Sequence, residues 1–436
     1  MSSVPTPQYP LHRTWATAST PTSNTSLQLQ EQGTGSTVQS PSSLDTVAIS
    51  RVPSNETTRL VTAFTDRIKP TLGVQYNLAW TYGDYLNHVP ARLGVNEALD
   101  SATDTFLAAV ATLSDPLGAK SSPVLFEKYG RTLTSLRKCL DDPVKATSPE
   151  TLCAILFLWN CQFIWQRNGP ITTHADGVAQ ILRLRGSVEK CQDPFELNLL
   201  LSLRAVVLFD SLFNGRIAFD DQEWIAMFDS RLYELSPEGQ AVQCLTRVPS
   251  LMRRIKAALT GDLLHQATLA DLEKEAHALR ADLEPALSRL RQRWQKNSSA
   301  TDIAAKGLPH LAGLGHCHFL RTYSLGLAIA IFINEARLAL CLDAAEILQE
   351  SHEFALEITH LARIASQYRP LGASAVSICL LAAEVGAADV ETKSAARSVR
   401  VEYASDFQGF QDVEVCQDLQ LICGREWSRV LTRETM

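Results

Sequence analysis

Residues 148–165, SPETLCAILFLWNCQFIW, constrain the fold more than any other stretch. Ser148, Pro149 and Glu150 form a helix start: a serine cap, a proline where its missing N–H is harmless, and a carboxylate beside the positive helix end. Leu152, Ile155, Leu156, Trp159 and Phe163 then recur at helical spacing, and Phe157, Leu158 and Ile164 make the remaining surface apolar as well. A helix that is apolar all round must be covered on every side. Any fold of this chain therefore has to wrap other elements around this one. Asn168-Gly169-Pro170 stops the helix, and Thr172 or Thr173 caps a second one. In that second helix Gly177 admits a close neighbour, Arg183 and Arg185 suit the negative end, and Gly186 suits the left-handed closing position.

The covering elements are predicted to be helices too, because strand-type alternation is nowhere sustained. Apolar spacing places short helices at 59–68 and 72–86, a turn at Pro90–Gly94, and a helix capped by Asn96 that reaches Ser114. Another spans 123–140. Asp193-Pro194 opens a helix over 195–213, and Asp220 with Glu223 makes a capping arrangement before Trp224. Residues 263–295 carry Leu269, Leu272, Ala276, Leu279, Leu283, Ala286 and Leu290 at spacings of three and four. That pattern reads either as a coiled-coil seam between chains or, since Pro285 implies a kink or two abutting helices, as packing within the chain. A loop follows at 297–315, then helices at 317–342, 344–367, 373–386, 391–403 and 412–431. The expected fold is all-α, a large multi-helix bundle over residues 59–436.

Residues 1–58 differ in kind. They are rich in Ser, Thr, Pro and Gln, with few charges, Arg13, Glu31 and Asp45 among them. Such a segment buries too little apolar surface to offset its ordering entropy, so a disordered N-terminal tail is expected. Tyr9, Leu11 and Trp15 form an apolar island in it, read as incidental rather than as a docking motif. The tail lacks the apolar core of a signal peptide. The longest apolar stretch, Leu152 to Trp165, has core-helix length and is broken by Asn160 and Gln162, so no membrane span is expected. Net charge is −7 and the isoelectric point about 5.8, which argues against general affinity for nucleic acid or anionic membrane. The ten cysteines include no C-x2-C pair and fall mostly in apolar stretches, as reduced buried thiols of an intracellular protein do.

One set of residues resembles a known family. Tyr85-Leu86, Val89-Pro90-Ala91-Arg92-Leu93-Gly94 and Ala98-Leu99-Asp100 come first, followed by Tyr129, Leu133, Leu136 and Leu140-Asp141-Asp142-Pro143. Glu150-Thr151-Leu152, His174, Gly177, Leu182, Arg185-Gly186, Phe219 and Trp224 complete it. In order and spacing, from about residue 75 to 235, this set is similar to the regulatory domain of fungal zinc-cluster transcription factors. The resemblance implies a nuclear transcriptional regulator with no bond-making chemistry, tied in many members to biosynthetic gene clusters and secondary metabolism. It implies a protein partner, either a DNA-bound factor or a second copy, and a small-molecule effector as a further kind of ligand. The six-cysteine DNA-binding module of that family is not in this sequence, since no cysteine precedes Cys139. Regulation through a DNA-bound partner, or an upstream segment carrying that module, is the corresponding expectation.

No enzyme motif competes with this reading. His316-Cys317-His318, with His310 nearby, is the densest group of soft ligands, but adjacent helical residues point about 100° apart and share a metal poorly. His352-Glu353 and His360 lack the i, i+4 histidine pair of a zinc hydrolase. Asp220-Asp221-Gln222-Glu223 echoes the magnesium motif of all-α terpene cyclases, but Trp224 stands where the final carboxylate belongs. Asp141-Asp142-Pro143 reads as a helix stop and His174 as a core histidine. Arg253 to Lys256 and Arg289 to Lys296 read as solvated helix faces rather than import signals. No catalytic, cofactor-binding, metal or DNA-binding residue is therefore assigned, no cofactor is expected, and the chain is read as no enzyme. The alternatives are an all-α enzyme with an unrecognised site, or a scaffold or decoy that pairs with a relative through 263–295.

Overall fold

The computed structural model describes residues 55–68, 73–114, 123–165, 173–185, 191–212, 217, 219–227, 236–260, 266–298, 309–340 and 344–407. All regular structure among them is helical, so the all-α expectation holds. The expected tail, except its last few positions, and the expected helix at 412–431 lie outside the described residues.

The first half gathers around α6 (Pro149–Trp165), supported by α1 (Glu56–Ile68), α3 (Glu97–Ser114), α4 (Pro123–Leu140), α7 (Thr173–Arg185) and α8 (Pro194–Ser211). From Glu150 to Trp165 every side chain of α6 is buried, except Trp159 and Phe163, which are half-buried. The all-round apolar pattern is thus satisfied by neighbours on every side. Phe157 sits at the centre, stacked on Phe106 with centroids 4.6 Å apart and flanked by Phe64 at 6.0 Å and Tyr85 at 6.2 Å. Offset and tilted aromatic pairs of this kind add stabilisation beyond their buried area.

Capping residues join these helices as well as starting them. Asn96 accepts from the N–H groups of Ala98 (2.9 Å) and Leu99 (3.1 Å), and its amide donates to Thr151 Oγ1 at 3.1 Å and to Ser148 Oγ at 3.4 Å. Ser148 Oγ in turn accepts from the Thr151 N–H at 3.2 Å, so the starts of α3 and α6 share one polar hub. Arg92 does the same for α6 and α8, holding Glu150 at 3.1 Å and Asp193 at 2.6 Å with its guanidinium 5.1 Å from the Phe195 ring centroid. Asp193 also caps α8 through the Phe195 N–H, 3.1 Å away.

The expected helix over 72–86 is broken. A 3-10 turn at Val74–Tyr76 is followed by α2 (Leu78–Tyr82) and a 3-10 segment at Asp84–Arg92 that contains Pro90. Asn77 restarts the helix by accepting from the Trp80 N–H at 2.9 Å. Gly83, at φ +122°, ends it where a Cβ would lie 2.6 Å from Ser202 Oγ. The first helix starts at Glu56, slightly before the expected residue 59. Short helices α5 (Pro143–Ala146) and α9 (Asp221–Met227) complete this half.

The second half gathers around α12 (Pro309–Leu340), flanked by α10 (Pro237–Thr260), α11 (Gln266–Ser298), α13 (Ala345–Ala365) and α14 (Val376–Gly386). The last described helix is α15 (Val390–Ala404), packed on α14. Gly313–Leu340 is long and apolar enough to cross a membrane by length and composition, but 83% of its most apolar window is buried inside the fold. It is the second core helix, longer than the stretch at 152–165. Part of the loop expected at 297–315 is helix instead, because α11 runs to Ser298 and α12 begins at Pro309. Residues 266–298 form one helix rather than two, for Pro285 lies on the exposed side, where water can take the carbonyl its ring leaves unbonded. The seam residues Leu272, Ala276, Leu279, Leu283, Ala286 and Leu290 are all buried. At Gly326 a Cβ would meet Leu290 Cδ1 at 2.9 Å, so α11 and α12 approach closely there. The 263–295 pattern therefore encodes packing within the chain from Leu272 to Leu290, with Leu269 half-buried at its start.

Candidate functional site

The halves meet where α8 and α9 pack on α10 and where the Val74–Tyr76 turn packs on α12, and a group of buried ionisable side chains lies beside that turn. Gln75 fixes the turn by donating to Gln367 O at 2.8 Å and accepting from the Leu371 N–H at 3.0 Å. Gly372 makes room for it: a Cβ there would sit 2.8 Å from Val74 Cγ1 and 2.6 Å from the Tyr368 carbonyl. Trp80 of α2 lies against Arg321 of α12, with the guanidinium carbon 4.2 Å from the ring centroid. A buried cation on an aromatic face is a strong contact for a desolvated charge.

His316, Cys317 and His318, which lead into this arginine, point to three different partners. His316 Nδ1 is 2.7 Å from the Tyr368 hydroxyl, with its ring 5.0 Å from that of Trp294. The Cys317 thiol donates to Gly372 O at 3.3 Å. His318 Nε2 lies 3.9 Å from Glu238 Oε1, and Glu238 is held by Arg293 at 2.7 Å. The side chain of His310 lies outside the described residues. Among the described residues no three His, Cys, Asp or Glu side chains come together as a metal site.

Burial sets the electrostatics here. It pushes the Cys317 thiol and the Tyr368 hydroxyl each up to about 12. Burial, with Arg321 and Arg293 adding to it, pushes His318 down to about 3. His316 is lowered by burial as well. Near neutrality the cluster thus holds a protonated thiol and neutral imidazoles, an arrangement for hydrogen bonding and packing rather than for nucleophilic attack.

A pH dependence follows from His318. The unfolded chain takes up this proton near the ordinary value of 6.5, whereas the folded chain resists it down to about 3. Its contribution is constant above 6.5, and folded stability declines as pH falls from there toward 3. Up to about 2 kcal/mol should be lost between pH 7 and 5 from this residue. Urea midpoints of the wild type and His318→Gln at both pH values check this: the wild type should lose more. Equal losses would show that His318 titrates normally in the fold.

The other sequence motifs are structural. Asp220 and Glu223 form a reciprocal capping box, with the Asp220 N–H on Glu223 Oε2 at 2.9 Å and the Glu223 N–H on Asp220 Oδ1 at 2.8 Å. Arg183 pairs with Glu223 at 2.6 Å and holds that carboxyl below the usual range. Asp142 caps α5 through the N–H groups of Val144 and Lys145. His352 Nε2 stands 3.3 Å from Asp389 Oδ2, while His360 is exposed. The side chains of His174 and Arg185 lie outside the described residues.

The two basic groups lie largely on exposed faces, as expected, with Arg254, Lys256, Arg289, Arg291 and Lys296 exposed, and several of their arginines also bind across the fold. Arg253 donates to the carbonyls of Ile217 (3.3 Å) and Phe219 (2.8 Å), and Arg254 pairs with Glu275 at 2.6 Å. Arg291 donates to the Tyr323 hydroxyl at 2.8 Å, and Arg293 holds Glu238. Arg254, Arg291 and Arg293 thus fasten α10, α11 and α12 together, and Arg253 ties α10 to the segment before α9. Trp80, Glu238, Arg321 and Tyr368 were not singled out from the sequence. The one visible sign was Arg321, a cation inside the apolar run FLRTYSLGLAIAIF.

The chain matches no protein-family model, no curated protein and no solved structure.

Proposed function

We propose that this chain is a transcriptional regulator of the kind its sequence resembles, the regulatory domain of fungal zinc-cluster factors, acting in the nucleus through a protein partner bound to DNA. One observation carries the reading. Part of the resemblance set, between Tyr85 and Trp224, joins the first-half helices to one another or lies in their core. Arg92 bridges Glu150 and Asp193, and Asp100 accepts from the Gly94 N–H at 2.8 Å, where Gly94 takes φ +89°. Tyr85, Leu86, Val89, Leu152, Phe219 and Trp224 are buried around them. Motif residues that act as hubs and core suit a domain whose output is its shape and its contacts. The polar junction around Arg321, where the halves meet, is the natural place for an effector or partner to act on that shape. A decoy pairing through 263–295 is not retained, because its seam is buried in the fold.

Fusing the full chain to a heterologous DNA-binding domain tests the proposal. Reporter output from that domain's operator should rise or fall relative to the DNA-binding domain alone. A fusion that is nuclear and folded yet changes output in neither direction would overturn the reading. Control of a biosynthetic gene cluster is the further expectation, read from transcript levels after deletion of the gene.

A further inference from the structure

The segment between α13 and α14, residues 366–375, touches both halves of the molecule. On its inner side the Gln367 carbonyl accepts from the Gln75 side chain at 2.8 Å, and the Leu371 N–H donates to Gln75 O at 3.0 Å. The same segment grips the start of α12, through Tyr368 on His316 and the Gly372 carbonyl on the Cys317 thiol.

Its outer side is held by Arg369. The guanidinium takes Asp406 with two prongs, Nε to Oδ2 at 2.6 Å and Nη2 to Oδ1 at 2.8 Å, and pairs with the Glu402 carboxylate as well. It also donates to the Glu402 carbonyl at 2.6 Å and stands 5.2 Å from the Tyr403 ring centroid. A strap residue thus meets a last-turn carbonyl of α15 and sets a cation at its negative end. The next residue after Asp406 is Phe407, which is buried and meets Phe163 of α6 with centroids 5.9 Å apart. One ion pair therefore links two separate contacts with the first half, at the Gln75 turn and at Phe163.

The pair lies at a depth that allows it to open. The Arg369 and Asp406 side chains are 18% and 19% exposed, so water can take both charges, while the two-pronged geometry holds them when closed. A pair sealed as deeply as Glu384 and Arg400 could not part in this way. We propose that Arg369 and Asp406 form a latch between the halves. Closed, it holds the strap on the Gln75 turn and Phe407 on Phe163 together. Open, it releases both contacts while the helices within each half keep their packing.

Hydrogen exchange of the full chain, read peptide by peptide, tests this with Asp406→Ala and Arg369→Gln. Each variant should exchange about fivefold faster or more in peptides covering 74–82, 366–376 and 403–407. Peptides from 325–336, in the core of α12, should stay as slow as in the wild type. Faster exchange confined to the end of α15 would reduce the pair to a helix cap and overturn the proposal. Faster exchange throughout, the α12 core included, would equally overturn it, because the halves would then not part separately from the rest of the fold. Phe407→Ala approaches the latch from its other side. It should also speed exchange at 74–82, and should add little in the Arg369→Gln background. No effect at 74–82, or an effect that adds in full, would show that the two contacts are not coupled and sink the latch.

Discussion

Glu384→Ala should destabilise the protein by about 3–5 kcal/mol, the usual result of leaving a buried charge without its partner. Glu384 of α14 and Arg400 of α15 form an ion pair whose side chains are only 3% and 1% exposed. Water cannot replace the carboxylate at that depth, so the Arg400 guanidinium would stay buried without its principal counter-charge. The ion pair itself need not contribute much net stability, because desolvating both groups offsets most of their attraction. The double variant Glu384→Leu, Arg400→Leu should therefore recover most of the loss. Denaturant midpoints of the three proteins, with thermal melts alongside, make the comparison. A single variant within about 1 kcal/mol of wild type would mean that the pair is hydrated in solution.

Phe157→Ala should cost about as much, roughly 3–5 kcal/mol, by a different route. The ring lies between Phe106, Phe64 and Tyr85 and has no exposed surface. Removing it opens a cavity lined by three aromatic rings from α1, the 3-10 segment at 84–92 and α3, and the lining can collapse only partly. Phe157→Leu keeps most of the volume and should cost clearly less. A truncation that costs no more than the leucine variant would show that the site closes over the void. Because Phe157 sits where these three segments and α6 meet, the alanine variant should also lose near-ultraviolet aromatic dichroism before its helical signal.

How far the fold could be read from the sequence depended on whether the deciding interaction was local. Helix starts were legible because a cap acts within three residues: Asn96, Ser148, Asp193 and the Asp220–Glu223 box all stand where their side chains required. The burial of α6 was legible because no surface helix carries that pattern. The start of α12 was not. Residues 309–315 hold two glycines, Gly313 and Gly315, which disfavour helix locally, and the packing around α12 overrides that preference. Pro285 misled for a similar reason, since a proline breaks a helix less when water can reach the freed carbonyl. At the junction the sign was visible but the meaning was not. A lone arginine in an apolar run announces a buried partner, yet nothing near Arg321 in sequence identifies Trp80, and nothing near Glu384 identifies the counter-ion sixteen residues away as its mate.

The Gln75 turn also sets a timetable for synthesis. Its partner Gln367 lies 292 positions further along the chain. At about 5–20 residues per second, the ribosome delivers that partner roughly 15 to 60 s after Gln75 itself. Throughout that interval the first half can pack around α6, while the Gln75 side chain and carbonyl wait for Gln367 and Leu371. Nascent chains of this protein therefore pass through a long stage in which the turn at the junction is not yet fastened.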